Sequence, residues 1–111
     1  MRESDILAST YHDRMDIIRH VEVEDSDSHL TTMQKKIIKS NVACELDKSS
    51  TGYHDETLVV DYIVYTRPEV DVVEGDMLSV THLGRNYECI AGIPFKWPSH
   101  LEIPVSLKER L

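Results

Sequence analysis

A chain of 111 residues has room for one modest core, because folding at that size buries about two thirds of the surface that the unfolded chain exposes. A hydrophobic share of 41% and a charged share of 29% exclude wholesale disorder. The formal charge of -8, from 20 acidic and 12 basic side chains with no run of five Lys or Arg, excludes a domain whose affinity comes from neutralising phosphates.

Residues 3–12 read as one or two helical turns, with Ser4 as a cap and Ile6, Leu7 and Tyr11 near one face. Ten residues are marginal alone, so the segment needs something to dock on. Charges run through this N-terminal stretch and no apolar h-region occurs. No run approaches the roughly 18 apolar residues of a membrane span, so residence in a cytoplasm is the expectation.

From Arg14 the period changes. Met15, Ile17, Val21 and Val23 share one parity, interrupted by Arg19, which predicts a half-exposed strand ending in the polar loop Asp25, Ser26, Asp27, Ser28. Residues 33–47 predict a second, long strand, with Ile38, Val42, Cys44 and Leu46 on one parity. The next nine residues, Lys48, Ser49, Ser50, Thr51, Gly52, Tyr53, His54, Asp55 and Glu56, are nearly free of apolar side chains and read as the clearest loop in the chain. Residues 58–66, rich in Val, Ile and Tyr, predict a third strand, which Arg67 and Pro68 break.

Gly75 opens a strand at residues 77–82, Gly84 supplies a positive-φ turn, and residues 85–91 pair back as a hairpin. After Gly92, Pro94 and Pro98, the side chains of Leu101, Ile103, Val105 and Leu107 alternate without a miss against Glu102, Pro104, Ser106 and Lys108. Pro104 on the outward parity marks that last strand as an edge, since proline cannot donate to a ladder. Five to six antiparallel strands with little chain left for helix predict a mainly β fold, a small single-domain β-barrel or sandwich. It spans residues 13–111, behind a helical N-terminal segment at 1–12.

The chemistry-bearing residues form no recognisable constellation. His12, His20, His29, His54, His82 and His100 lack zinc-like spacing, and neither HExxH nor CxxC occurs, so no metal is expected. The acidic pairs at residues 25–27 and 54–56 lack the twelve-residue calcium loop, and GxSxG, GxGxxG and GxxxxGK[ST] are absent, so no cofactor is expected either. Cys44 and Cys89 sit in strand interiors and read as buried thiols. Trp97, between Lys96 and Pro98, reads equally as an exposed interface anchor or as a cap on one end of the barrel.

The order of several pieces resembles the tailed-phage head closure proteins, also called stopper or head-tail joining proteins, including relatives in phage-like prophage elements. The pieces are Asp13-Arg14-Met15-Asp16-Ile17, Gly75-Asp76-Met77-Leu78-Ser79-Val80, Gly84-Arg85-Asn86-Tyr87-Glu88 and Ser99-His100-Leu101-Glu102-Ile103. The likeness spans nearly the whole chain and departs in the first ten or so residues, where the family often begins almost directly with its Tyr-x-Asp-Arg strand.

This resemblance implies a β-barrel that assembles as a ring in the virion neck, built in the bacterial host cytoplasm. The ring lies beneath the portal and adaptor proteins, closes the channel after DNA packaging and joins the head to a tail terminator or completion protein. By position it implies that residues 48–56 are the channel-closing loop. The acidic charge fits that role, since DNA slides past a surface that does not bind it. In a ring, Trp97 and the last strand, through Leu101, Ile103 and Val105, are the expected subunit or tail interface.

Two other classes compete. One is a free-standing small barrel that binds a peptide or another protein. Its single-strand nucleic-acid variant is disfavoured by an aromatic share of 6% and by the charge. The other is an enzyme built on Asp61, His82 or His100, for which no pair stands in a recognisable acid-base relation. No catalytic role is the expectation.

Overall fold

The structure, a computed structural model, describes residues 3–108. A short helix, α1 (Glu3–Ala8), precedes seven strands: β1 (Asp13–Glu24), β2 (Thr31–His54), β3 (Thr57–Thr66), β4 (Met77–His82), β5 (Arg85–Ala91), β6 (Phe95–Lys96) and β7 (Leu101–Leu107). They lie in one antiparallel sheet in the order β3-β2-β1-β4-β5-β7-β6, and β3 also pairs with β7. That extra pairing closes β1, β2, β3, β7, β5 and β4 into a small barrel, with β6 following β5 along the same side of β7. Closure is what lets so short a chain satisfy its ladders without leaving edges along the barrel wall.

Period-2 alternation supplies the core. Met15 and Ile17 from β1, Cys44 and Leu46 from β2, Val64 from β3, Leu78 and Val80 from β4, and Cys89 from β5 all point inward and are buried. Strands β3 and β4 are not neighbours in the barrel, so the segment between them crosses one end, and there Val72 is buried against the core. The helix docks through an Arg67 to Asp5 ion pair of 2.7 Å. Just beyond it, the Tyr11 hydroxyl donates to the Thr66 carbonyl at 3.5 Å.

The expected edge character of the last strand is overturned. Leu101, Ile103 and Val105 are 5%, 0% and 9% exposed, and β7 pairs with β3 on one side and with β5 and β6 on the other. Pro104 is tolerated because its carbonyl faces a junction between ladders: β6 pairs at Leu101 and Glu102, β5 from Val105 onward. In that junction the Gly92 N–H donates to the Pro104 carbonyl at 2.7 Å. The N and C=O of a strand residue share a side, so the missing N–H falls where no ladder needs it. A Cβ at residue 92 would lie 3.2 Å from the Pro104 ring and from its carbonyl oxygen, so a larger residue would need Pro104 to shift by a few tenths of an ångström.

The expected loop at residues 48–56 is also overturned. Strand β2 runs on to His54 and pairs with β3 down to His54 opposite Thr57, leaving only Asp55 and Glu56 as the turn. Both turn residues have positive φ, 49° and 64°, the backbone of a tight two-residue hairpin. The segment looked like a loop because it is polar on both faces. It is polar because, past the barrel rim, there is no core for either face to cover.

Register shifts at residues 40–41, at Ile38 and at Ser49 divide the 24 residues of β2 into a barrel piece and two projecting ends, and two of them show how the strand is bent. At the first, Asn41 adopts φ 56° and its N–H donates to the Asp16 carboxylate at 3.0 Å. An asparagine tolerates that backbone better than a branched residue would, and the extra residue bends the strand away. At the last, Ser49 is the unpaired residue between Lys48 and Ser50, and its hydroxyl donates to the Asp61 carbonyl at 3.3 Å.

The β4–β5 hairpin is the turn that the sequence predicts, with Leu83 at φ 48° and Gly84 at φ 77°. Leucine is a poor choice for the first position, and its side chain is 88% exposed. Leu83→Asn is therefore expected to stabilise the fold by about 0.5–1 kcal/mol, read as a raised thermal midpoint.

Candidate functional site

The projecting ends of β2 make two ribbons. The first arm pairs residues 19–24 of β1 with Thr31 to Lys36 of β2, and it extends past the last β1–β4 pair, Ile18 with Met77. Six residue pairs give it a reach of about 20 Å. The second arm pairs residues 57–61 of β3 with 50–54 of β2, beyond the last β3–β7 pair at Tyr62, for a reach of about 17 Å. The molecule is correspondingly expanded, with a radius of gyration of 16.1 Å, against about 13 Å for a compact chain of this length.

Both arms carry exposed apolar side chains. On the first, Leu30 at the tip and Met33 are 66% and 59% exposed, and Ile37 at its root is 58% exposed; on the second, Tyr53 and Leu58 are 79% and 54% exposed. Two-stranded ribbons are marginal on their own, so each is held by the barrel strands it continues.

A third surface lies on the outer wall of the barrel. Asp47, Ile63 and Pro104 stand side by side across β2, β3 and β7, and Glu45, Tyr65, Glu102 and Phe95 form the adjoining row. Phe95 and Trp97 contact each other with ring centroids 4.8 Å apart, and the Trp97 Nε1–H donates to Glu102 at 3.1 Å. With Ile93 they border a shallow groove of about 360 Å³. Trp97, at 45% exposure, thus stands on the outer wall and does not cap the barrel.

Of the expected interface residues, only Trp97 is on the surface. Leu101, Ile103 and Val105 hold the barrel together from inside and cannot reach a partner. Of the expected channel-closing residues, 48–54 lie on β2 and Asp55 and Glu56 form the tip of the second arm.

The residues weighed for acid-base chemistry are not brought together. Asp61 is on the exposed arm-side end of β3, and His100 packs edge-on against Tyr65. His82 meets a residue that the sequence did not suggest: its Nδ1 lies 2.8 Å from the carboxylate of Asp13, which is 2% exposed. Asp13 also accepts the Leu46 N–H at 2.8 Å, so it ties β1, β2 and β4 together. Sixty-nine positions separate the pair, and no local signal links them. The pair acts as a clamp between strands. Among the described residues no group of three His, Cys, Asp or Glu stands ready to hold a metal.

Arg19 explains the break in the β1 alternation. Its Nε and Nη2 each donate at 2.9 Å to the two oxygens of Asp76, a side chain 1% exposed, and Nη1 reaches Asp71 at 3.3 Å. The fork joins the root of the first arm to the segment that crosses the barrel end. Donating to the Asp76 carboxylate raises the guanidinium pKa, so Arg19 stays charged.

Cys44 and Cys89 are fully buried free thiols. Burial is the main cause that pushes them up to about 12 and about 11. A raised thiol pKa means that stability is complete below the ordinary thiol range, near 9. Above it, the unfolded thiols ionise first and stability falls as the pH climbs toward 12. Both thiols are expected to resist a soluble disulfide reagent at pH 8 and to react only on unfolding, while the thermal midpoint drops above pH 9.

No family model, curated protein or solved structure matches the chain.

Proposed function

We propose that this protein is a structural component of a phage neck, a head closure and head-tail joining protein that works as a ring. The observation that supports the reading best is a closed barrel that extends two β-ribbon arms, each with exposed apolar side chains, while its polar clusters serve to hold strands together. Such a molecule has its surface invested in contacts with other proteins. The order of sequence pieces that resembles head closure proteins points the same way. In this reading the self-associated ring contacts portal-adaptor proteins above and a tail completion protein below, and DNA passes without specific binding beside an acidic surface.

The second arm takes the place of the channel-closing loop. A ribbon held at its root by a bulge at Ser49 closes a channel by tilting as a unit, not by refolding. Replacing residues 51–60 by an Asn-Gly turn keeps every β3–β7 pair. The shortened protein is expected to fold with an unchanged circular dichroism spectrum and to give filled heads that leak DNA; leak-free heads would remove the arm from the closing role.

The reading as a whole is tested by electron microscopy of particles made by the parent phage or prophage without this gene. Separate tails beside emptied heads are expected. Joined, filled particles would instead leave a barrel that binds a peptide or protein, a reading favoured by the exposed Trp97 groove.

A further inference from the structure

Strand β2 has no partner but β1 over residues 31–40, so one edge of the first arm is open. That same stretch, TTMQKKIIKS, carries Lys35, Lys36 and Lys39 and no carboxylate, in a protein with a net charge of -8. Met33, Lys35 and Ile37 lie on one face of it, two residues apart, and all three are exposed. Lysines on an open edge discourage random strand addition, yet the apolar side chains flanking Lys35 are ones that solvation alone does not require.

The outer wall around Trp97 has the opposite character. Its apolar side chains, Ile63, Phe95 and Trp97, are bounded by Glu45, Asp47 and Glu102. A lysine-bearing apolar strand and a carboxylate-bounded apolar wall are complementary in both charge and chemistry. They also lie on different elements of one chain.

The exposed area gives the scale. The surface of 7875 Å² exceeds the roughly 6,300 Å² expected of a folded monomer of this mass by about 1,600 Å². A subunit with a neighbour on each side covers about 800 Å² at each of two standard interfaces.

We infer that Met33 and Lys35 of the first arm, with Ile37 at its root, seat on the Ile63, Phe95 and Trp97 wall of a second copy of this chain. The contact is heterologous, arm to wall, so every subunit uses one surface forward and the other backward, and the series closes into a ring or grows open-ended. It names the contact within the ring proposed above and rests on that reading for closure alone.

Two variants with changes at exposed positions test it: Met33→Glu with Ile37→Glu on the arm, and Ile93→Glu with Phe95→Glu at the wall. Trp97, the single tryptophan, is kept in both as a reporter. With rising concentration, the wild type is expected to sediment as oligomers and its tryptophan emission to move to shorter wavelength. Each variant alone should lose at least about tenfold in affinity. Their equimolar mixture retains one good arm and one good wall, so it should form a one-to-one dimer and stop there.

Association of either variant alone at wild-type strength, a mixture that stays monomeric, or a wild type monomeric at several hundred micromolar would each overturn the inference. If a double variant loses its β-sheet spectrum, Lys35→Glu and Glu102→Lys replace it: each alone should weaken association and the two combined should restore it, and absence of that rescue counts against the contact. Failure here with emptied heads in the deletion discards the contact and keeps the neck function. Joined, filled particles with a successful mixing experiment do the reverse.

Discussion

Replacing Ile103 by Ala is expected to lower the unfolding free energy by about 3–4 kcal/mol, measured from urea unfolding with an unchanged slope. Ile103 is 0% exposed and sits at the middle of β7, the strand that closes the barrel by pairing with β3 and β5. Truncation removes three methyl or methylene groups from a site walled by ladders on both sides, so the cavity cannot collapse and its cost adds to the lost transfer energy. The same substitution is expected to leave self-association unchanged at temperatures where the chain stays folded. Lost association with unchanged stability would return Ile103 to the interface role expected of it in a ring.

Asp76→Ala is expected to cost about 3 kcal/mol, or on the order of 10–15 °C in thermal midpoint. The carboxylate takes both Arg19 donors at 2.9 Å and also accepts the Val73 N–H at 2.9 Å, so its loss leaves three donors short of a partner. Arg19 keeps a 3.3 Å pair with Asp71 and is itself 23% exposed, which places the cost near the lower end for a broken buried pair. Asp71→Ala supplies the contrast. Its side chain is 67% exposed, so less than about 1 kcal/mol is expected. Equal effects from the two would show that the fork gains nothing from burial.

These two sites mark where reading along the chain succeeded and where it did not. The alternations at Met15 and Ile17, at Val42, Cys44 and Leu46, and at Leu101, Ile103 and Val105 were legible because one face of each strand meets the core. The Leu83-Gly84 turn was legible because Gly84 needs no partner to be favourable there. Which edge of β7 is covered was not legible. Pro104 signals a missing donor, and only the arrival of Gly92 from a distant connection shows that the gap is filled by a carbonyl contact within the barrel.

The second arm was misread for a related reason. A ribbon solvated on both faces has no period of two, so Lys48 to Glu56 carried the composition of a loop while its backbone carried the pairing of a strand. Arg19 with Asp76 and Asp13 with His82 were invisible because side-chain contacts 57 and 69 residues apart leave no local trace.

The sequence by itself determined the mainly β class, the inward side chains of β1 and β2 and the hairpin turn, which follow from local backbone preference and apolar periodicity, and the acidic charge, which follows from composition. Only the tertiary structure decided that the sheet closes, that Trp97 stays outside while Ile103 goes inside, and that β2 leaves the barrel at both ends. Those outcomes depend on which distant backbone groups and charges meet, and burial depends on neighbours that no local stretch of chain contains.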